Sequence, residues 1–297
     1  LFCLNVYTTD LRRRAWMPPG TAKRLRVLEG IPLTERDWPD CPTAYGTRTG
    51  FTVNGLPPLA QRRILGEIDI HPDGSFNIEV PADTPIELQV LDDDGMALRS
   101  CSWIWAKNHE PRGCIGCHED GELTPENLFM SAFQGPSTPL DLPPDRRRTV
   151  DFRRDVMPII EAKCVACHRQ GESKPWLHGD RRLAASGGAA AYFNRVYETL
   201  LATAGPDGEN KYRYVHPGQA RTSPLIWHLY GHNTCRPWDR EASTGKVKPI
   251  PPGKSEPLGT NERRTFVEWI DMGALWDGIP GPDGSPPLEN RDDAKTY

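Results

Sequence analysis

No stretch of the chain approaches the ~20 consecutive apolar residues that a membrane-spanning helix needs. Neither sign of charge dominates: the 297 residues carry a formal net charge of −4 and a pI of about 6.1, so no general affinity for nucleic acid is expected. No secretory leader is visible in the sequence either. Leu1 opens inside the apolar segment Leu1-Phe2-Cys3-Leu4-Asn5-Val6-Tyr7, which reads as the start of a processed or partial chain. Turn formers, in contrast, are plentiful. Thirty prolines and 27 glycines beside 37% hydrophobic residues describe a loop-rich protein of short elements, long enough for two domains.

Four of the eight cysteines fall in two copies of one pattern, Cys114-Ile115-Gly116-Cys117-His118 and Cys164-Val165-Ala166-Cys167-His168. C-x-x-C-H is the signature of covalent c-type haem attachment. Two thiols one turn apart can add to the two vinyl groups of one haem edge, and the following imidazole then lies under the iron. A zinc ribbon separates its cysteine pairs by about 15–20 residues, far less than the gap here, and a redox dithiol does not require a histidine after both pairs. Two haem c groups are expected, anchored by Cys114, Cys117, Cys164 and Cys167, with His118 and His168 as proximal iron ligands. Cys3, Cys41, Cys101 and Cys235 remain, and pairing or buried thiols are both open to them. Because attachment of this type takes place outside the cytoplasm, a periplasmic or extracellular location is expected.

Along the chain, alternation dominates the first hundred residues. Ile68 and Ile70 alternate with Glu67 and Asp69, Pro72-Asp73-Gly74 makes a turn, and Phe76, Ile78 and Val80 share a face, as do Ile86, Leu88 and Val90. The acidic run Asp92-Asp93-Asp94-Gly95 reads as a solvated turn. It offers oxygen ligands for calcium without the rest of the ligand spacing, and an additional zinc or calcium ion stays open. The expected fold class is α+β multidomain: an antiparallel β-sandwich over 1–108, then a first haem-binding segment and linker over 109–150, then a helical domain with the second haem over 151–297. The first haem is expected in a loop-rich setting beside Trp103 and Trp105. In the helical part, Asp151 is an N-cap, Val156, Ile159, Ile160 and Cys164 recur at helical spacing, and a helix is expected over 189–203. Ser223, Pro224 and Gly231 punctuate another. The last should run from Thr260 to Trp276.

That helical layout resembles a class I cytochrome c domain. Residues 151–278 are similar to the cytochrome domains of planctomycete-type proteins, through Phe152 to Ile159, Val215-His216-Pro217-Gly218, Ser223 to Leu225, and Trp269 to Trp276. The joint order of β-domain, first motif within Arg112 to Asp120, linker and cytochrome domain resembles the C-terminal half of the hydrazine synthase α-subunit family. The resemblance implies two haems and this architecture. It also implies an axial tyrosine four residues after the first-motif histidine, and here that position is Glu122. What carries over is therefore the architecture and the haem count, not the reaction.

The sixth ligands are less determined. Related domains place a methionine in an M-P-P turn before the last helix, whereas this chain reads Lys248-Pro249-Ile250-Pro251-Pro252, and Ile250 cannot bind iron. His228 and His216 are near-equal candidates for the second haem, with His232 behind them, and a bis-histidine site would be of low potential. For the first haem His109, Met130 and Met17 are within reach in sequence, and Glu119, Asp120 and Glu122 would be the nearby proton-transfer groups of an open site. Three roles follow. First comes an exported dihaem cytochrome passing electrons to redox partner proteins. Next is a hydrazine synthase-like enzyme acting on small nitrogen compounds at the first haem. Third is a homo-oligomer or extracellular polymer in which Leu1–Tyr7 pairs with a neighbour's sheet edge.

Overall fold

A computed structural model describes residues 1–9, 17–31, 61–117, 129–143, 147–169, 175–178, 194–201, 213–239, 242, 247 and 256–275. The chain divides into two compact units, Leu1–Ile31 with Arg62–Arg148, and a second that includes Thr149–Tyr297. The fold is α+β.

The first unit holds β1 (Phe2–Cys3), β2 (Arg24–Ile31), β3 (Gln61–Asp69), β4 (Phe76–Asn77), β5 (Ile86–Leu91), β6 (Ala97–Ile104) and β7 (Gly113–Cys114). Four form one sheet in the order β3-β2-β5-β6. Its β2–β5 and β5–β6 ladders are antiparallel, with irregularities between Ile86 and Leu88 and between Val90 and Leu91. Val27 opposes Leu88 and Leu25 opposes Val90, so the expected apolar face exists.

The other face departs from simple alternation, because every residue of β5 is buried. Arg26 is fully buried and donates to Glu67 at 2.8 Å and Gln89 at 3.3 Å, while Arg62 donates to Glu87 at 2.8 Å. These polar groups tolerate burial because each is hydrogen-bonded.

The second sheet is where the expectation of an all-antiparallel sandwich fails. Its order is β4-β1-β7, β1 runs antiparallel to β4 but parallel to β7, and the pairing strands come from distant parts of the chain. β1 lies between two partners, so Leu1–Tyr7 is not an edge waiting for a neighbour. Residues 134–143, part of the first haem-binding segment and linker expected over 109–150, run along this unit. Thr138 N–H donates to Asn77 O at 2.8 Å and Glu79 N–H to Thr138 O at 3.0 Å, and Asp141 accepts from Glu67 N–H at 2.8 Å.

In the second unit Asp151 caps the first helical segment, accepting from the Arg153 and Arg154 N–H groups at 2.8 and 3.1 Å. The segment opens as a π-helical turn, Phe152–Val156, before continuing as α1, Met157–Lys163. Pro158 lacks an N–H for the regular ladder, which gives a local reason for the widened turn. Val156, Met157 and Ile160 are buried on this segment, while Ile159 is only half-buried.

Further along are α2 (Arg195–Leu201), α3 (Pro224–Tyr230) and α4 (Thr260–Asp271). The described part of the helix expected over 189–203 starts after Asn194, whose Oδ1 caps Tyr197 N–H at 2.8 Å. Gly231 ends α3 in the left-handed region at φ 74, as its lack of a Cβ allows. α4 stops earlier than expected, because Gly273 and Ala274 both take positive φ, 109 and 53.

The core gathers on Trp269. Its ring packs 5.1 Å from Phe152 and 6.3 Å from Tyr197, and all three are buried. Trp269 Nε1 donates to Leu275 O at 2.9 Å and Tyr197 OH to Ala274 O at 2.7 Å. Among the described residues no helix is long and apolar enough to cross a membrane.

Candidate haem sites

The second motif follows directly from α1. Cys164 N–H continues the ladder to Ile160 O at 2.8 Å, and Cys167 and His168 N–H both turn back to Cys164 O at 3.1 and 3.0 Å. The two thiols therefore stand on one turn with His168 closing it. His168 Nδ1 lies 2.8 Å from Pro175 O. A carbonyl only accepts, so the proton sits on Nδ1 and the Nε2 lone pair is left for a metal. Leu177 N–H donates to His168 O at 2.6 Å, which fixes the loop that supplies the carbonyl.

Both cysteines are partly buried and neither is in a disulfide. Burial, with smaller contributions from the negative charges of Glu262 and Cys167, pushes the Cys164 thiol up to about 11. Beside Pro175, the Trp176 indole has the Arg195 guanidinium 6.0 Å from its ring centroid. These residues fit haem c: Cys164 and Cys167 would hold the ring and His168 the iron.

The candidate sixth ligands separate in the structure. His216 sits half-buried on its Val-His-Pro-Gly turn. Its N–H donates to Ser223 Oγ at 2.8 Å, and its Nδ1 lies 3.0 Å from Thr222 Oγ1. The turn is gripped by the end of α4: Gly218 N–H donates to Ile270 O at 2.7 Å, and Ala220 N–H donates to the buried Asp271 carboxylate at 2.8 Å. That bond accounts physically for the aspartate in the Trp269-Ile270-Asp271 run, which the sequence reading valued only as a resemblance. His228 is half-buried in the last turn of α3. His232 is exposed, with Nδ1 3.1 Å from Tyr230 O. Lys248 to Pro252, with Ile250, lie outside the described residues.

The first motif has a different support. Cys114 lies in β7 with Cys3 opposite it in β1. Phe2 N–H donates to Arg112 O, Leu4 N–H to Cys114 O, and Cys117 N–H to Thr8 O, each at 2.9 Å. A Cβ on Gly116 would overlap the Thr8 carbonyl, and one on Gly113 would overlap the Phe2 ring. Residues 1–8 are thus moulded onto residues 112–117, a contact that pattern reading alone had no means to find.

Trp105 is 53% exposed, with the Arg112 guanidinium 5.7 Å from its ring. Trp103 instead lies against Gly30 and Arg62. His118, Glu119, Asp120 and Glu122 lie outside the described residues. Of the other candidates, Met17 and Met130 are buried, and His109 is exposed in a left-handed conformation, φ 58.

None of the described cysteines, including Cys3, Cys101 and Cys235, is in a disulfide, and Cys41 lies outside the described residues. The Asp92 carboxylate is spent on its own turn, accepting from Asp94 and Met96 N–H at 3.0 Å. No group of three His, Cys, Asp or Glu suited to a metal ion occurs among the described residues.

Comparison with known proteins adds a consistent likeness. The family model for the hydrazine synthase alpha subunit middle domain matches residues 20–119. Hydrazine synthase subunit alpha of Kuenenia stuttgartiensis is 30% identical over 328 aligned residues, 90% of this chain and 40% of that protein. The solved hydrazine synthase of Kuenenia stuttgartiensis superposes with a TM-score of 0.73 at 26% identity, over 96% of this chain and 44% of that one. The chain thus spans less than half the length of the relatives it matches.

Proposed function

The chain is a distant homologue of the hydrazine synthase α subunit, and on that premise we propose that it is the haem-bearing part of a related exported enzyme acting on small nitrogen compounds. The observation that carries this reading is the likeness along nine-tenths of the chain, together with two attachment motifs on unlike supports. Haem bound at the motifs would supply iron for electron transfer at the second site and an open iron for substrate at the first.

At the second motif the chain's own part is orientation. Pro175 O holds His168 with Nε2 presented. Thr222 engages His216 Nδ1, so His216 is the sixth ligand we favour over His228 and His232. Two imidazoles held at Nδ1 would give a six-coordinate site that excludes small ligands and passes electrons, in the manner of other outer-shell partners.

At the first motif residues 1–8 shape the cysteine loop, and Glu122 stands where the relatives' resemblance implies tyrosine. A carboxylate there would not be the same ligand as tyrosine and would offer a proton acceptor, so the reaction need not end in hydrazine. We place the protein outside the cytoplasm, in an assembly with further protein partners.

The second reading is a dihaem carrier without catalysis, favoured by the tethering of His168 and His216. Carbon monoxide titration of the ferrous protein decides between them. One ligand-binding haem of two supports the enzyme. Two inert six-coordinate spectra leave the carrier, and absence of covalent haem removes both. Replacing His216 by alanine should turn the second haem from low-spin to ligand-binding. If His228→Ala does so instead, the ligand assignment moves to α3.

A further inference from the structure

The first motif has a third cysteine set against it. Cys3 and Cys114 face each other across the parallel β1–β7 pair, and residues in register on neighbouring strands point their side chains to the same side of the sheet. Cys3 is 2% exposed. Neighbouring strands lie about 4.8 Å apart, inside the ~4.4–6.8 Å between Cα atoms that a disulfide spans. The register is pinned from both flanks by Phe2 N–H to Arg112 O and Leu4 N–H to Cys114 O. Cys117, in contrast, follows a turn and is tied through its N–H to Thr8 O. At the second motif the backbone partners of Cys164 are Ile160, Cys167 and His168, none of them, among the described residues, a cysteine from another element.

We propose that Cys3 and Cys114 form a reversible disulfide in the chain before haem is attached, which makes attachment at the first motif conditional on reduction. The proposal rests on the reading of Cys114 as a haem anchor. Closing the bond removes one hydrogen from each thiol, and two electrons and two protons pass to a disulfide-class oxidant such as oxidised glutathione. A dithiol reductant returns them. The Cys114 S–H then adds across a vinyl double bond, a step with no net redox change. Cys3 is left as a buried thiol beside the new thioether. While oxidised, Cys114 has no S–H to add, so the first haem waits and the second does not.

The test uses the full chain exported without haem-attachment machinery. Its thiols are alkylated, it is digested unreduced, and the peptides are weighed. The expected result is a linked pair of peptides carrying Cys3 and Cys114 that separates on treatment with dithiothreitol. With the machinery present and reductant limiting, Cys3→Ser should raise haem per chain from near one toward two, and added reductant should do the same for the unmodified chain only. Cys3→Ala serves as a second variant against misfolding, checked by intact haem loading at Cys164 and Cys167. A Cys114–Cys117 link, or Cys3 recovered fully alkylated, would overturn the proposal while leaving the haem reading in place. A mature chain whose Cys114 peptide bears no haem overturns the haem reading itself, whatever the state of Cys3.

Discussion

The same five-residue pattern is built twice in this molecule, on opposite principles. The second motif is supported by its own neighbourhood: α1 runs into it, and the carbonyl that orients His168 comes from Pro175, a few residues on. The first is supported from the other end of its unit, where residues 1–8 clasp residues 112–117 through strand pairing and close packing on Gly113 and Gly116. A helix-borne site forms once local structure forms. A sheet-borne one must wait for a long loop to close. Under the proposed function the difference would suit a division of labour, with a haem at the second motif held by two histidines and one at the first keeping a site whose surroundings the rest of the chain can shape.

The largest expected effect tests whether the second motif depends on its unit's core. Trp269→Ala removes the ring that joins Phe152 and Tyr197, and by the usual scale for buried aromatics it should cost about 3–5 kcal/mol. Urea unfolding followed by fluorescence should show that loss, while protease resistance around β1 and β7 stays unchanged. Equal loss at both motifs would break the comparison.

The middle position of the two motifs sharpens it. Gly116→Ala forces a Cβ onto the Thr8 carbonyl and should cost about 1–3 kcal/mol, the range for overpacking. The exposed Ala166 should tolerate serine within about 0.5 kcal/mol. Thermal melts of both variants check this, and a neutral Gly116→Ala would show that the clasp is loose.

Asp271→Ala leaves the buried Ala220 N–H without its acceptor and should cost about 1–3 kcal/mol. It should also free the His216 turn, read as a shift in the second haem's potential with the first unmoved.

A further expected effect is a pH dependence between weak acid and neutrality in the second unit. Burial raises the Glu198 carboxyl to about 7 in the fold, against about 4.3 in an unfolded chain. Its proton is held more tightly when folded, so its contribution is fully present below the unfolded value and is lost as pH rises through the folded one. Glu198→Gln should therefore flatten stability between roughly pH 4 and 7, measured by denaturation at stepped pH. An unchanged slope would assign the effect to another group.

At the first unit Asp73 behaves oppositely. Burial alone would raise its carboxyl, but hydrogen bonds from Ser75 and Ser131 outweigh that and hold it well below the usual carboxylate range. Its support is therefore present at neutral pH and fades only in strong acid.

Much of the helical unit was legible in advance because its signals are local. The Asp151 cap, the punctuation of α3 by Pro224 and Gly231, and the apolar stripe of α4 each need only a few residues of context. Where local reading failed, a specific cause is visible. The first helix starts as a π-turn just before Pro158, and positive φ at Gly273 and Ala274 accompanies the early end of α4. In the first unit β3 and β5 of the larger sheet were readable from alternation, but the burial of Arg26, Glu87 and Gln89 was not.

By itself the amino-acid sequence determined which atoms are available: two thiol pairs each followed by an imidazole, no methionine in the turn before the last helix, and a carboxylate at Glu122. It could do so because haem attachment depends on the spacing of covalently adjacent residues. Only the tertiary structure decided that β1 runs parallel to β7, that Cys3 faces Cys114, and that Thr222 and Asp271 hold the turn of His216. Those contacts join residues far apart in the chain, and their energy depends on register and packing that no local pattern encodes.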